Sequence, residues 1–201
     1  RKVRDSKPGG YGKISLARGF ELSSNTVLVQ SVYDSYKNNP KQFVDRINSY
    51  GLNKPLGLPI KGEGKPYVPQ PGTNGWSGTA LPWMAFGYNV SITPLQTLTL
   101  YNAVANDGVM VKPIFVSEIK EWNKTIKKYN TEVINPKICS QETLDKVQAV
   151  LENVVKRGTG SKLYSKDFSM AGKTGTAQVN YKDKSKLYYA SSFVGYFPAD
   201  E

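Results

Sequence analysis

The run Ala171-Gly172-Lys173-Thr174-Gly175-Thr176-Ala177-Gln178 sets a lysine, two hydroxyls and a side-chain-free position along one extended segment. Side chains alternate faces along a strand, so Lys173 and Gly175 share one face while Thr174 and Thr176 share the other. An ammonium with hydroxyls beside it is equipment for gripping a carboxylate next to a reacting carbonyl. Glycine inside a strand also allows a second backbone to approach closely, so a peptide could lie along this segment as an added strand. A second element lies far upstream, where Ser23-Ser24-Asn25 stands at the start of a helical pattern. Serine and asparagine are also favoured helix N-caps, and Ser23 can serve as one.

The remaining composition narrows the chemistry. Histidine is absent and Cys139 is the single cysteine. Ser-His-Asp and Cys-His catalysis, zinc fingers and internal disulfides are therefore excluded within these residues, and a catalyst must use Ser, Lys, Tyr or carboxylates. Cys139 reads as a small packing residue ahead of a helix. The formal charge of +11 raises nucleic-acid binding. The lysines, however, gather in two turn-like clusters, Lys120 to Lys128 and Lys182 to Lys186. Solvated turns account for both, so no nucleic-acid partner is expected, and the charge fits attraction to an anionic polymer or a membrane surface.

At 201 residues, 39% hydrophobic and 11% aromatic, the chain can bury a substantial core. A helix is expected over Leu22 to Lys37, with Val27, Val29, Val32, Tyr33 and Tyr36 as its apolar stripe, and a second over Lys41 to Tyr50 ending at Gly51. The Pro- and Gly-rich stretch from Leu52 to Trp83 reads as a long irregular segment forming part of a cleft wall. Thr93-Pro94-Leu95-Gln96 is a helix start with N-cap, N1 proline and capping box. That helix should run to about Asn106 and bury Leu95, Leu98, Tyr101, Val104 and Ala105. Strands follow over Val109 to Trp122 and Ile126 to Val133. Ser140 then caps a helix whose face carries Leu144, Val147, Val150, Leu151 and Val154 and which ends at Gly158. The Lys173 strand and a strand over Leu187 to Phe197 flank the charged turn Lys182-Asp183-Lys184-Ser185 as an antiparallel hairpin. Helices first and a hairpin last give an α+β class.

Serine-active penicillin-recognising enzymes combine Ser-x-x-Lys, a Ser-Asp-Asn-like triplet and Lys-Thr-Gly in that chain order. Ser23-Ser24-Asn25 and Lys173-Thr174-Gly175 resemble the second and third. The segments Phe86 to Gln96, Ala105-Asn106-Asp107-Gly108, Gly158-Thr159-Gly160 and Ser192 to Pro198 extend the likeness in order and spacing. Together they resemble class B penicillin-binding proteins, the peptidoglycan D,D-transpeptidases. The resemblance implies a penicillin-binding/β-lactamase-like fold, incomplete at both ends. The only formal Ser-x-x-Lys is Ser117-Glu118-Ile119-Lys120, in a strand-like run between the other two motifs rather than ahead of them. The nucleophile is accordingly expected outside this chain. Residues 1–201 are expected to form a partial transpeptidase domain that begins after Ser-x-x-Lys and ends before the last strand and helix.

The resemblance further implies acyl transfer from stem peptides ending in D-Ala-D-Ala, with β-lactams entering the same path and staying attached. Ser23 would relay a proton, since a hydroxyl donates and accepts at once. Asn25 would hold the acyl amide, Lys173 would act on Ser23 and the substrate carboxylate, and Thr174, Gly175 and Thr176 would line that carboxylate. The Thr176 N–H would be the second oxyanion-hole donor. No metal or organic cofactor is implied. Expected partners are stem peptides, β-lactams and other cell-wall synthesis proteins, at an extracytoplasmic location anchored by an upstream segment. Water as acceptor would give a D,D-carboxypeptidase or β-lactamase-like hydrolase instead. Loss of Ser-x-x-Lys in the parent would give a non-catalytic sensor or scaffold.

Overall fold

A computed structural model describes residues 2–180, 185 and 187–200. The turn residues Lys182, Asp183 and Lys184, expected to join the last two strands, lie outside the described residues. The chain divides into two compact units, one made of residues 1–35 and 145–201, the other of 36–144.

In the first unit a short helix α1, Leu16–Glu21, precedes α2, Asn25–Tyr36. Ser15 starts α1 by accepting the Arg18 N–H at 3.2 Å. The periodicity points to a single helix from Leu22. The structure corrects this: Ser23 has φ 52, a left-handed conformation that breaks the helical path, and α2 begins only at Asn25. The stripe expected on α2 is half-buried, and Tyr33 is exposed. Helix α6, Gln141–Arg157, starts at Ser140, whose hydroxyl accepts the Thr143 N–H at 3.3 Å. It buries Leu151, Val154 and Val155 in this unit. Strands β5, Ala171–Val179, and β6, Tyr188–Tyr196, pair antiparallel with Lys173 opposite Val194 and Gly175 opposite Ser192.

In the second unit, α3, Pro40–Ser49, places Val44 in a core with Val68 and Met84, against which Phe43, Ile47, Trp76 and Val90 pack. The segment expected to be irregular holds one short helix, α4, Ala80–Met84, and a bridge from Tyr67 to Ser91. Its backbone is organised by Glu63, whose carboxylate accepts the N–H groups of Leu56, Gly57 and Leu58. Helix α5, Pro94–Ala105, has the full capping box, with Thr93 Oγ1 accepting from Gln96 N at 3.1 Å and Gln96 Oε1 from Thr93 N at 2.8 Å.

The buried face of α5 differs from the apolar stripe. Gln96, Thr99, Ala103 and Val104 are buried while Leu98 is exposed. The polar pair is tolerated because each finds a backbone acceptor, Gln96 at Lys54 O and Thr99 at Leu95 O, both at 2.8 Å. The long strand expected over Val109 to Trp122 is two pieces, β1, Met110–Val111, paired with β4, Val133–Asn135, and β2, Glu118–Glu121, paired with β3, Lys124–Lys128. Pro113 separates them, because it has no N–H for the ladder. Among the described residues no helix is long and apolar enough to cross a membrane.

Candidate active site

The site is built in the first unit, where the α1–α2 turn meets β5. Ser24, not Ser23, caps α2: its hydroxyl accepts the Val27 N–H at 3.2 Å and donates to Asp5 Oδ1 at 3.0 Å. Asp5 also accepts from Thr26 N at 3.0 Å and Thr26 Oγ1 at 2.7 Å. Burial pushes the Asp5 carboxyl up, but the hydrogen bonds from Thr26 and Ser24 outweigh it and hold the group below its ordinary range. With the N-cap of α2 assigned to its neighbour, the Ser23 side chain is left free of capping, and the left-handed backbone at this position turns its hydroxyl toward β5. A strained non-glycine φ persists only where the surroundings fix it.

What fixes it is the end of α1: the Ser23 N–H bonds to the Phe20 carbonyl at 3.0 Å and the Ser24 N–H to the Gly19 carbonyl at 2.8 Å, a helix ending that requires a left-handed residue at position 23. Lys173 Nζ donates to Ser23 Oγ across 150 positions of sequence, and to the Thr174 carbonyl at 3.0 Å. It also stands 5.7 Å from the centroid of the Phe20 ring, within cation–π range. Among the described residues no carboxylate forms a salt bridge with Lys173. Desolvation without a counter-ion lowers its pKa from 10.5 to about 8. The group thus carries charge or releases a proton within reach of ordinary pH, next to a hydroxyl that can pass the proton on.

The other residues of the strand are distributed as the pleat requires. Thr174 is half-buried, and its hydroxyl shares a hydrogen bond with the hydroxyl of Thr159. Thr176 is exposed and pairs in register with Ser191. A Cβ at Gly175 would lie 2.5 Å from the Ser192 hydroxyl, so the space at this position is taken by a side chain of the partner strand. Close backbone approach occurs instead at Gly172, where a Cβ would come within 2.6 Å of the Val194 carbonyl oxygen. Asn25 sits in the first turn of α2, two residues from Ser23, with its amide donating to the Arg4 carbonyl at 3.1 Å. Ser117 lies exposed in the second unit, and Lys120 is salt-bridged to Glu118 at 2.6 Å.

Three residues that sequence reasoning did not single out, Arg18, Glu21 and Arg157, form an ion cluster in the same unit. Glu21 is fully buried, with Arg18 at 2.7 Å and Arg157 at 2.8 Å on its two carboxylate oxygens. Burial pushes this carboxyl up, and the two guanidiniums, Arg157 foremost, outweigh it and hold it below its ordinary range. Thr159 follows, its N–H bonded to the Glu21 carbonyl at 3.1 Å. The available signal was a lone acid on a short apolar helix and an arginine closing a helix just before glycine.

The sequence family described as penicillin binding protein transpeptidase domain matches residues 2–201. Stage V sporulation protein D of Bacillus subtilis is 30% identical over 207 residues, covering 100% of this chain and 30% of that protein. Peptidoglycan D,D-transpeptidase FtsI of Buchnera aphidicola is 28% identical over 159 residues, covering 78% of this chain and 26% of that protein. This chain therefore spans under a third of the length of either. Among solved structures, the D,D-transpeptidase domain of a peptidoglycan glycosyltransferase from Eggerthella lenta superposes with a TM-score of 0.77 at 26% identity, covering 94% of this chain and 46% of that one.

Proposed function

This chain belongs to the penicillin binding protein transpeptidase domain family, in its class B branch, and from that premise we propose that it supplies part of the site at which a serine acyltransferase cross-links peptidoglycan. The observation that carries the reading is the contact between Lys173 Nζ and Ser23 Oγ. Two residues far apart in sequence, each from a motif of this family, share one hydrogen bond, and the lysine keeps no carboxylate of its own among the described residues.

In the proposed reaction a serine from a segment preceding Arg1 attacks the penultimate carbonyl of a D-Ala-D-Ala stem peptide. The tetrahedral intermediate collapses, the peptide C–N bond breaks, and the last D-alanine leaves as an amine that has gained a proton. Ser23 passes that proton, oriented by Lys173, whose lowered pKa makes the exchange accessible. The charge of Lys173 attracts the substrate carboxylate to this strand, and the hydroxyls of Thr174 and Thr176, which share one face, donate to it. The Thr176 N–H is the proposed second donor to the oxyanion; one such donor contributes roughly 2.7 to 4 kcal/mol of transition-state stabilisation. Asn25 exchanges its bond to Arg4 for the acyl amide. An amine of a neighbouring stem peptide then attacks the acyl-enzyme, forming the cross-link and freeing the serine. A β-lactam opens by the same attack, but its amine stays tethered and the acyl group remains on the enzyme. The reaction places the protein outside the cytoplasm, at the cell wall, where other wall-synthesis proteins are its proposed partners.

Intact-mass measurement with a labelled penicillin tests the reading. The protein extended by the residues encoded before Arg1 should gain one stoichiometric adduct on a serine upstream of Ser23, and the 201-residue chain should gain none. An adduct on Ser117, or an extended protein that never reacts, overturns it.

A further inference from the structure

The contact between Ser23 and Lys173 is one link in a closed ring of interactions. From Ser23 the ring passes to Lys173, along β5 to Thr174, and through the paired hydroxyls to Thr159. It returns through the Thr159 N–H to the Glu21 carbonyl at 3.1 Å, and along the chain from Glu21 back to Ser23. Adjacent residues of one strand, with side chains on opposite faces, are thus gripped by two different turns. Both turns are fastened at a single residue, Glu21.

The fastening is tight in every direction. Arg157 donates to Glu21 Oε1 at 2.8 Å and Arg18 to Glu21 Oε2 at 2.7 Å, while Arg18 also reaches the Arg157 carbonyl at 3.2 Å. Between Arg157 and Thr159 the chain runs so close to Glu21 that a Cβ on Gly158 would stand 2.4 Å from the Glu21 carbonyl oxygen. That oxygen is backbone and cannot swing aside, so any side chain at 158 must push the two turns apart. Burying an ion pair is a poor way to gain stability, since well-packed apolar residues do as well or better. What apolar packing does not supply is direction: the carboxylate and carbonyl of one residue fix the second turn at two points.

We propose that Glu21, Gly158 and Arg157 form a clamp that sets the contact between Ser23 and Lys173, and are therefore positioning residues for the acyl-transfer site. The inference rests on the functional reading above for its meaning, but its test does not require acyl transfer. Closing the clamp presses the Ser23 turn over Lys173 and keeps water from the ammonium. Opening it lets water in.

Competitive labelling of the 201-residue chain with trace acetic anhydride, followed lysine by lysine with mass spectrometry between about pH 6 and about pH 11, reads this directly. The midpoint of Lys173 labelling reports its ionisation separately from its accessibility. The unaltered chain should give a midpoint of about 8. Gly158→Ala and Glu21→Gln should raise it toward the ordinary lysine value. Arg157→Lys, which retains a cationic donor for Glu21, should keep it close to the unaltered midpoint. In a Ser23→Ala background, Gly158→Ala should add less than it does alone, because the two changes act through one contact.

A Lys173 midpoint that stays put in Gly158→Ala and Glu21→Gln while their thermal melts fall would make the cluster merely structural and overturn the proposal. So would an ordinary lysine midpoint in the unaltered chain. If Glu21→Gln fails to fold, Gly158→Ala and Arg157→Lys still decide the matter. Loss of the clamp leaves the penicillin test of the extended protein standing, and a failed penicillin test leaves the Lys173 midpoints readable.

Discussion

Two buried charges within the same unit are treated in opposite ways. Glu21 is wholly inaccessible and has a guanidinium on each carboxylate oxygen. Lys173 is partly buried, leans on a hydroxyl, a carbonyl and a ring, and has no carboxylate among the described residues. A charge whose partners are all supplied by the fold is finished as a structure. A charge buried with its counter-ion left out costs stability, and that cost is recovered only when something anionic arrives. The difference separates the scaffold of this unit from its working part.

Removing one partner from the finished cluster should have the largest effect on stability. Arg157→Met leaves the Glu21 carboxylate buried with Arg18 alone, and urea unfolding should show a loss of about 2 kcal/mol, the scale of one hydrogen bond to a charged group. A loss near zero would mean that Glu21 is hydrated and that the contrast with Lys173 is false. The same contrast predicts opposite responses to pH. The folded pKa of Glu21 lies below the ordinary 4.5, so its contribution is present above that value and is lost as pH falls through the folded pKa. The folded pKa of Lys173, about 8, lies below the ordinary 10.5. Between those values the unfolded chain binds more protons, so the Lys173 contribution makes stability rise with pH. Urea midpoints across both windows check this. Lys173→Met should flatten the alkaline rise and leave the acid loss unchanged.

The smallest expected change is also the most counter-intuitive. At neutral pH Lys173→Met removes an uncompensated charge and should stabilise the chain by about 1 kcal/mol in the same assay. A destabilisation of that size would assign Lys173 to the scaffold with Glu21.

How much of this was readable in the sequence depended on how far apart the deciding atoms lie. The start of α5 was legible because the N-cap, proline and capping box fall within residues 93 to 96, and the structure repeats them bond for bond. The β5–β6 pairing was legible from alternation and two runs of strand-forming residues. The cap of α2 falls one residue later than Ser23, because Ser23 and Ser24 are equivalent as letters, and the backbone turn that closes α1, together with Asp5, 19 positions from Ser24, decides between them. The single strand after Val109 failed at Pro113, a local signal that the apolar run overrode. Glu21 was invisible because the partner that makes its burial tolerable, Arg157, stands 136 positions away. Residue types at the site were therefore readable from motifs, whereas the scaffold holding them was a property of the packed chain.

The central claim, that Lys173 is a working charge and not a structural one, is tested most directly by penicillin acylation of the protein extended by its preceding residues, comparing the unaltered form with Lys173→Ala. The second-order acylation rate should fall about a hundredfold, the scale of losing one preorganised electrostatic contact in a dehydrated site. The thermal melt of the same preparation should move by no more than about 4 °C. An unchanged rate, or a lost rate accompanied by a collapsed melt, would contradict it.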